Sequence, residues 1–242
     1  MAGMRAAPGD AKAQANGCET LRDMTAADNE SNRTLIASAG GIEAVLAAMR
    51  AHAANAAVQQ NGCGALQNLS LLDANRALIA SAGGIEAVVA GMRAHAANAA
   101  VQEQGCGAFW NLLLLESNRA LIASAGGIEV VRAALDAHST NAVVQECGSA
   151  VMWYLSRIDK NMTPIVSAGG VDAVVTRMRT HLFAGAQEHG CIVLEDFSRT
   201  ESNLPLIVSC GGIEAVQAAM RAYPTVASIF IYGQRVIDRC AA

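Results

Sequence analysis

Histidines, cysteines, acidic side chains and paired glycines all recur at matching positions along this chain, and each set names a chemistry. His52, His95, His138 and His181 follow one another at intervals of about 43 residues. A zinc ion holds its ligands within about 2.0–2.3 Å, whereas neighbouring helices pack about 8–10 Å apart. A ladder with such rungs cannot converge on one ion, so no metal site is expected. Each histidine is placed instead at the end of a helix, where the dipole favours it. His189 and Cys191 are close in sequence, but two positions apart on a helix they do not face each other, which excludes a nucleophile–base pair.

The glycine pairs do not form a phosphate-binding loop. None occurs as G-x-x-x-x-G-K-[ST], and none as G-x-G-x-x-G after a strand. Glu43, Glu86, Glu129, Asp172 and Glu214 repeat in register; their shared place at a helix start is a dipole effect rather than acid–base chemistry. Cys18, Cys63, Cys106 and Cys191 share one slot and read as small buried apolar residues. Adjacent rungs of that ladder are too far apart for a disulfide, which needs Cα atoms within about 7 Å. No catalytic constellation is present, no cofactor is implied, and the chain is not expected to be an enzyme.

The element that positions all these residues is a repeat. The segment NRTLIASAGGIEAVLAAMRAHAANAAVQQNGCGALQNLSLLDA from Asn32 returns, little changed, from Asn75, and diverged copies begin at Asn118, Asn161 and Asn203. A period of this size marks a solenoid, in which each unit buries its apolar face against its neighbours. The expected boundaries are 32–74, 75–117, 118–160, 161–202 and 203–242, in one continuous domain. Residues 1–31 are expected to be a flexible N-terminus leading into a partial repeat, whose third helix runs from Asn16 to Met24 and acts as a cap. Gln234, Arg235, Asp238 and Arg239 give the last helix a polar outer face, with Phe230 and Ile237 as an apolar patch.

Within a unit, Asn75 is read as the N-cap of a short first helix. Gly83-Gly84 ends it. A second helix buries Ile85, Val88, Val89 and Met92, and a third, from about Ala99 to Leu114, is capped by Asn98 and buries Val101, Gly105, Ala108, Phe109 and Leu112.

Asn75, Ile79, Ala82, Gly83, Gly84 and Ile85, followed by Val101, Gln102, Glu103, Ala108, Phe109, Asn111 and Leu112, resemble the armadillo repeat. The resemblance implies an all-α, right-handed α-solenoid of armadillo-like three-helix repeats. It also implies a concave groove lined by third helices, where an Asn on each holds the backbone of a partner segment. An amide suits that role because it carries both a donor and an acceptor. The matching positions are Asn68 and Asn111, with Asp23, Tyr154 and Asp196 in the other copies. One helix face also carries Asn61 and Gln104, seven residues earlier, while Trp110 and Trp153 flank the ladder. Gly64 and Gly107 stand where nuclear-import members of the family carry Trp, which argues against a nuclear-localisation-signal pocket. Glu19, Asp23, Glu195 and Asp196 make much of this groove acidic, and Arg235 and Arg239 make its last unit basic.

A hydrophobic content of 52% with only 4% aromatics means an Ala, Val, Ile, Leu and Met core. The net charge of −4 gives no basic face for nucleic acid. No apolar run approaches the roughly 20 residues of a membrane span, and the first twelve residues lack the apolar core of a signal peptide. The expectation is a soluble, intracellular, monomeric module, cytoplasmic or else nuclear, that binds a protein or peptide along its groove. The other readings are a structural or self-associating solenoid that uses its end faces, or a fragment of a larger scaffold.

Overall fold

A computed structural model describes residues 2–26, 29–156, 166 and 169–241. The chain separates into two compact units, Met1–Ala137 and His138–Ala242. Within each unit the described elements are helices and turns.

The first unit contains α1 (Ala2–Ala6), α2 (Ala11–Thr25), α3 (Glu30–Ser38), α4 (Gly41–Ala51), α5 (Ala56–Leu69), α6 (Asp73–Ser81), α7 (Gly84–Ala94), α8 (Ala99–Leu112), α9 (Glu116–Ser124) and α10 (Gly127–Ala137). Helices α3–α5 and α6–α8 are complete repeats. The third helices pack in series, α2 on α5 and α5 on α8. The second unit contains α11 (Ala142–Ser156), α12 (Gly170–Thr180), α13 (Ala184–Ser198), a 3-10 turn (Glu201–Asn203), α14 (Leu204–Ser209), α15 (Gly212–Ala222) and α16 (Ala227–Ala241). There α13 packs between α11 and α16.

In the first three repeats the first helix starts two residues before the boundary read from the sequence, at Glu30, Asp73 and Glu116, whereas in the last the α-helix starts at Leu204 after a 3-10 turn. Asn75 is therefore not a cap. It lies inside α6, 2% exposed, and its amide donates to the Leu69 carbonyl at 3.0 Å. Asn118 and Asn203 do the same to Leu112 and Phe197. The orphan carbonyls at the end of one third helix are thus satisfied by the next repeat's Asn. Asn161 lies outside the described residues.

Gly83 takes a left-handed φ of 80°, and a Cβ on Gly84 would lie 2.4 Å from Ile79 Cγ2. Both glycines of the pair are thereby required by the turn from first to second helix. Asn98 caps α8 by accepting from the Val101 N–H at 3.2 Å, and α8 ends at Leu112 rather than Leu114. Ile85, Val88, Val89 and Met92 on α7, and Val101, Ala108, Phe109 and Leu112 on α8, are all buried.

Residues 2–10 differ from the flexible start that the sequence suggested. Met4 is buried on α1, and Gln14 donates to the Met4 and Ala7 carbonyls at 2.8 Å each. Gln59 makes the same pair of bonds to Met49 and His52, and Gln102 to Met92 and His95. Helix α1 is the last turn of a second helix. The match of MRAAPGDAKAQ to MRAHAANAAVQ carries that signal in the sequence.

Candidate functional site: the third-helix ladder

Each repeat hands hydrogen bonds to its neighbours, and the ladder residues take part. Asn68 donates to the Arg22 carbonyl at 2.9 Å, and Asn111 to the Gln67 carbonyl at 2.9 Å. Both side chains remain half-buried rather than closed off. Their Oδ1 atoms accept no bond from the described residues, so each amide keeps an acceptor and one N–H outward.

Asn61 does not share that freedom. It is 8% exposed, donates to the Ala15 carbonyl at 3.2 Å and accepts from Arg22 at 2.7 Å. Its amide is spent between α2 and α5, so it leaves the ladder as a contact residue. Gln104 and Trp110 are half-buried on α8. Gly64 and Gly107 have a role the sequence did not suggest. A Cβ at Gly64 would lie 2.7 Å from Arg22 Cδ and 2.8 Å from Gln104 Oε1, and one at Gly107 would lie 2.5 Å from Gln67 Nε2. The missing side chains make room for Arg22, Gln67 and Gln104 to lie across the helices. Arg22 also pairs with Asp23 at 3.1 Å and with Glu19 at 3.8 Å, which offsets the acidity expected there.

In the second unit Trp153 and Tyr154 are half-buried on α11. The Trp153 ring meets Tyr154 edge-on at 4.6 Å and stacks on His189 of α13 at 5.4 Å. Burial, followed by the charge of Arg177, holds the His189 imidazole below its ordinary pKa, while Glu188 and Glu146 pull the other way. Asp196 pairs with Arg199 at 3.4 Å. Glu195 does not contribute acidity to a groove: it is 1% exposed, held by Arg199 at 2.9 Å and Arg239 at 2.8 Å. Burial opposes ionisation of this carboxyl, but the two guanidinium groups overcome it and leave its pKa below the usual range. Arg239 also donates to Ser198 Oγ at 3.0 Å, so it locks α16 onto α13 rather than facing a ligand. Phe230 and Ile231, 52% and 47% exposed, form the apolar patch on α16, with Ile237 half-buried.

Two histidines of the ladder tie neighbouring repeats together. His52 and His95 follow the ends of α4 and α7, and their Nε2 atoms lie 2.8 Å from the Pro8 and Ala53 carbonyls of the preceding repeat. Tyr223, in the same slot after α15, donates its hydroxyl to the Leu182 carbonyl. Arg50 reaches forward to the Ala82 carbonyl at 2.7 Å, and Arg179 to Cys210 at 3.3 Å. These arginine bonds and the glutamine staples escaped the sequence reading, although both recur in register. Among the described residues no three His, Cys, Asp or Glu side chains gather where a metal ion would sit. Burial raises the Cys18, Cys63 and Cys191 thiols to about 12, which removes them from nucleophilic chemistry. Among the described residues no single helix is long and apolar enough to cross a membrane.

No protein-family model matches the chain, and no curated protein does. Among solved structures it is similar to a designed armadillo repeat protein, at 13% identity over 96% of this chain and 94% of that one, with a TM-score of 0.75. Two engineered proteins are also similar. One is 24% identical over 96% of this chain and 92% of its own, with a TM-score of 0.75. The other is 19% identical over 96% and 93%, with a TM-score of 0.74. At such identities the likeness is one of fold. The chain has the armadillo-like repeat fold, an all-α solenoid.

Proposed function

We propose that the chain is a non-catalytic protein-interaction module that holds an extended segment of a partner along its third helices. The observation that carries this reading is the outward amide edge of Asn68 and Asn111. Each is oriented by one bond to the neighbouring repeat and keeps an unfilled acceptor and a donor. That pair complements the C=O and N–H of a peptide bond of any sequence. Gln67 and Gln104 add further amides beside them, and Trp110 flanks them with an aromatic face of the kind favoured at interface hot spots. In the second unit Trp153 and Tyr154 supply an aromatic surface. Seven free thiols suit a reducing compartment, which supports an intracellular setting.

The test is calorimetry against a partner recovered by affinity capture, comparing the parent chain with Asn68→Ala/Asn111→Ala. Loss of two hydrogen bonds of about 0.5–1.5 kcal/mol each weakens affinity roughly five- to hundred-fold. Glu86→Lys, on an exposed position of a second helix, leaves it unchanged. Equal affinity in the double variant overturns the groove reading. The exposed Phe230 and Ile231 favour the other reading, self-association, which light scattering at micromolar concentration detects directly.

A further inference from the structure

We propose that the seam where α13 packs on α11 is a pH-sensitive joint, in which protonation of His189 weakens its stack on Trp153 and loosens the fourth repeat from the third. Both helices lie in the second unit. The seam is built differently from its counterpart in the first unit. Trp153 stands in the register of Arg22, and His189 in that of Asn61. Between α2 and α5 that pair is a hydrogen bond of 2.7 Å from a guanidinium to an amide, and neither group titrates near neutral pH. Between α11 and α13 it is two rings, 5.4 Å apart and 24° from parallel. The rung is occupied in turn by Asn16, Asn61, Gln104, Cys147, His189 and Tyr232. Of these types, histidine alone has its ordinary charge change between about pH 5 and 8.

Arg177 on α12 makes a charge on that ring costly. In its slot α4, α7, α10 and α15 carry Ala48, Gly91, Ala134 and Ala219, all buried. On α7 even a Cβ there would lie 2.7 Å from Gln59 Oε1 of the preceding repeat. Arg177 instead carries a guanidinium into the seam and is 4% exposed. Its Nη1 donates to the Ala186 carbonyl at 3.3 Å, and its Nε has no partner among the described residues. A permanent cation so poorly solvated opposes a second one beside it.

The other ionisable groups around the imidazole are few. Glu146 comes from α11, with the Cys147 thiol next to Arg177. Helix α13 itself supplies Glu188, whose carboxylate accepts from the Ser228 hydroxyl of α16 at 2.7 Å. Among the described residues no charge on α14, α15 or α16 adds to these. Burial and then Arg177 outweigh the two carboxylates, so the imidazole stays neutral to lower pH than usual. Its contribution to stability is complete above the unfolded value of about 6.5 and is lost as pH falls through the lower, folded one. Glu195 titrates below the ordinary carboxylate range and does not enter this window.

The experiment titrates the chain without any partner, which keeps it independent of the groove reading. Trp110→Phe leaves Trp153 as the single tryptophan, and proton NMR follows the His189 ring. The ring is expected to titrate below about pH 6.5, with Trp153 emission changing at the same midpoint. Arg177→Ala restores the residue of α4, α10 and α15 and is expected to raise that midpoint by about half a pH unit or more. His189→Gln places the residue of α8 at this rung and abolishes the emission step. In urea the unfolding midpoint of the parent falls between about pH 7.5 and 5.5 by more than that of His189→Gln. A ring that titrates at or above about pH 6.5, as an imidazolium held on the indole face would, overturns the proposal. So does a titration unmoved by Arg177→Ala, or a urea difference between parent and His189→Gln that stays constant with pH.

Discussion

Asn111 Nδ2 stands 2.9 Å from the Gln67 carbonyl, so a residue placed to grip a partner also ties two repeats together. Asn68 stands in the same relation to Arg22. Truncating them therefore costs stability as well as affinity. Each of Asn68→Ala and Asn111→Ala is expected to lose about 0.5–1.5 kcal/mol in urea unfolding. The melting curve of the double variant checks this. A curve identical to the parent's would mean that these bonds do not hold the repeats.

The buried Glu195 carboxylate makes stability depend on acid. Its folded pKa lies below the ordinary value because Arg199 and Arg239 outweigh the cost of burial. That contribution is present above the unfolded carboxylate pKa of about 4.3 and is lost as pH falls through the lower, folded value. In Glu195→Gln the acid-induced part of the loss shrinks while stability at neutral pH drops. Arg239→Ala leaves a buried carboxylate with one partner fewer. It should lose about 1.5–3 kcal/mol, as charged hydrogen bonds do, with exchange of the α16 amides rising first.

Thiol reactivity should divide the cysteines in two. Cys18, Cys63, Cys106, Cys147 and Cys191 are buried, whereas Cys210 and Cys240 are half-buried. Native-state alkylation at mildly alkaline pH is expected to modify Cys240 and Cys210 slowly and the five buried thiols only on unfolding. Peptide mapping after a timed quench distinguishes them, and early labelling of Cys63 would contradict the packing described.

The histidine ladder predicts a bond lost without a metal effect. His95→Ala removes the contact to the Ala53 carbonyl and should lower stability by about 0.5–1.5 kcal/mol. Zinc or a chelator should leave the melting midpoint of the parent unchanged. A bound ion at saturating concentration would raise stability by a few kcal/mol, so a midpoint that responds to zinc and no longer does so in His138→Ala would establish a site.

Much of the architecture was legible because a repeat states each rule several times. Asn55 and Asn98 before a third helix, paired glycines before a second, and apolar residues at helical spacing are local signals. Helix type, turn position and burial followed from them. The first turn of the chain was just as local, since Met4, Arg5 and Gln14 copy Met49, Arg50 and Gln59, but proline and glycine between them disguised the match.

The tertiary structure alone decided which polar side chains are free. Asn61 and Asn68 are both amides on α5, yet Arg22 and the Ala15 carbonyl consume one while the other keeps an open edge. Glu195 and Asp196 are neighbours in sequence and both meet Arg199, but a guanidinium arriving from Arg239 closes over the first alone. Each distinction depends on a partner some 40 residues away, supplied by the adjacent repeat. Periodicity gives the face of a helix on which a side chain lies; only the stacked neighbour determines whether its hydrogen bonds are already made.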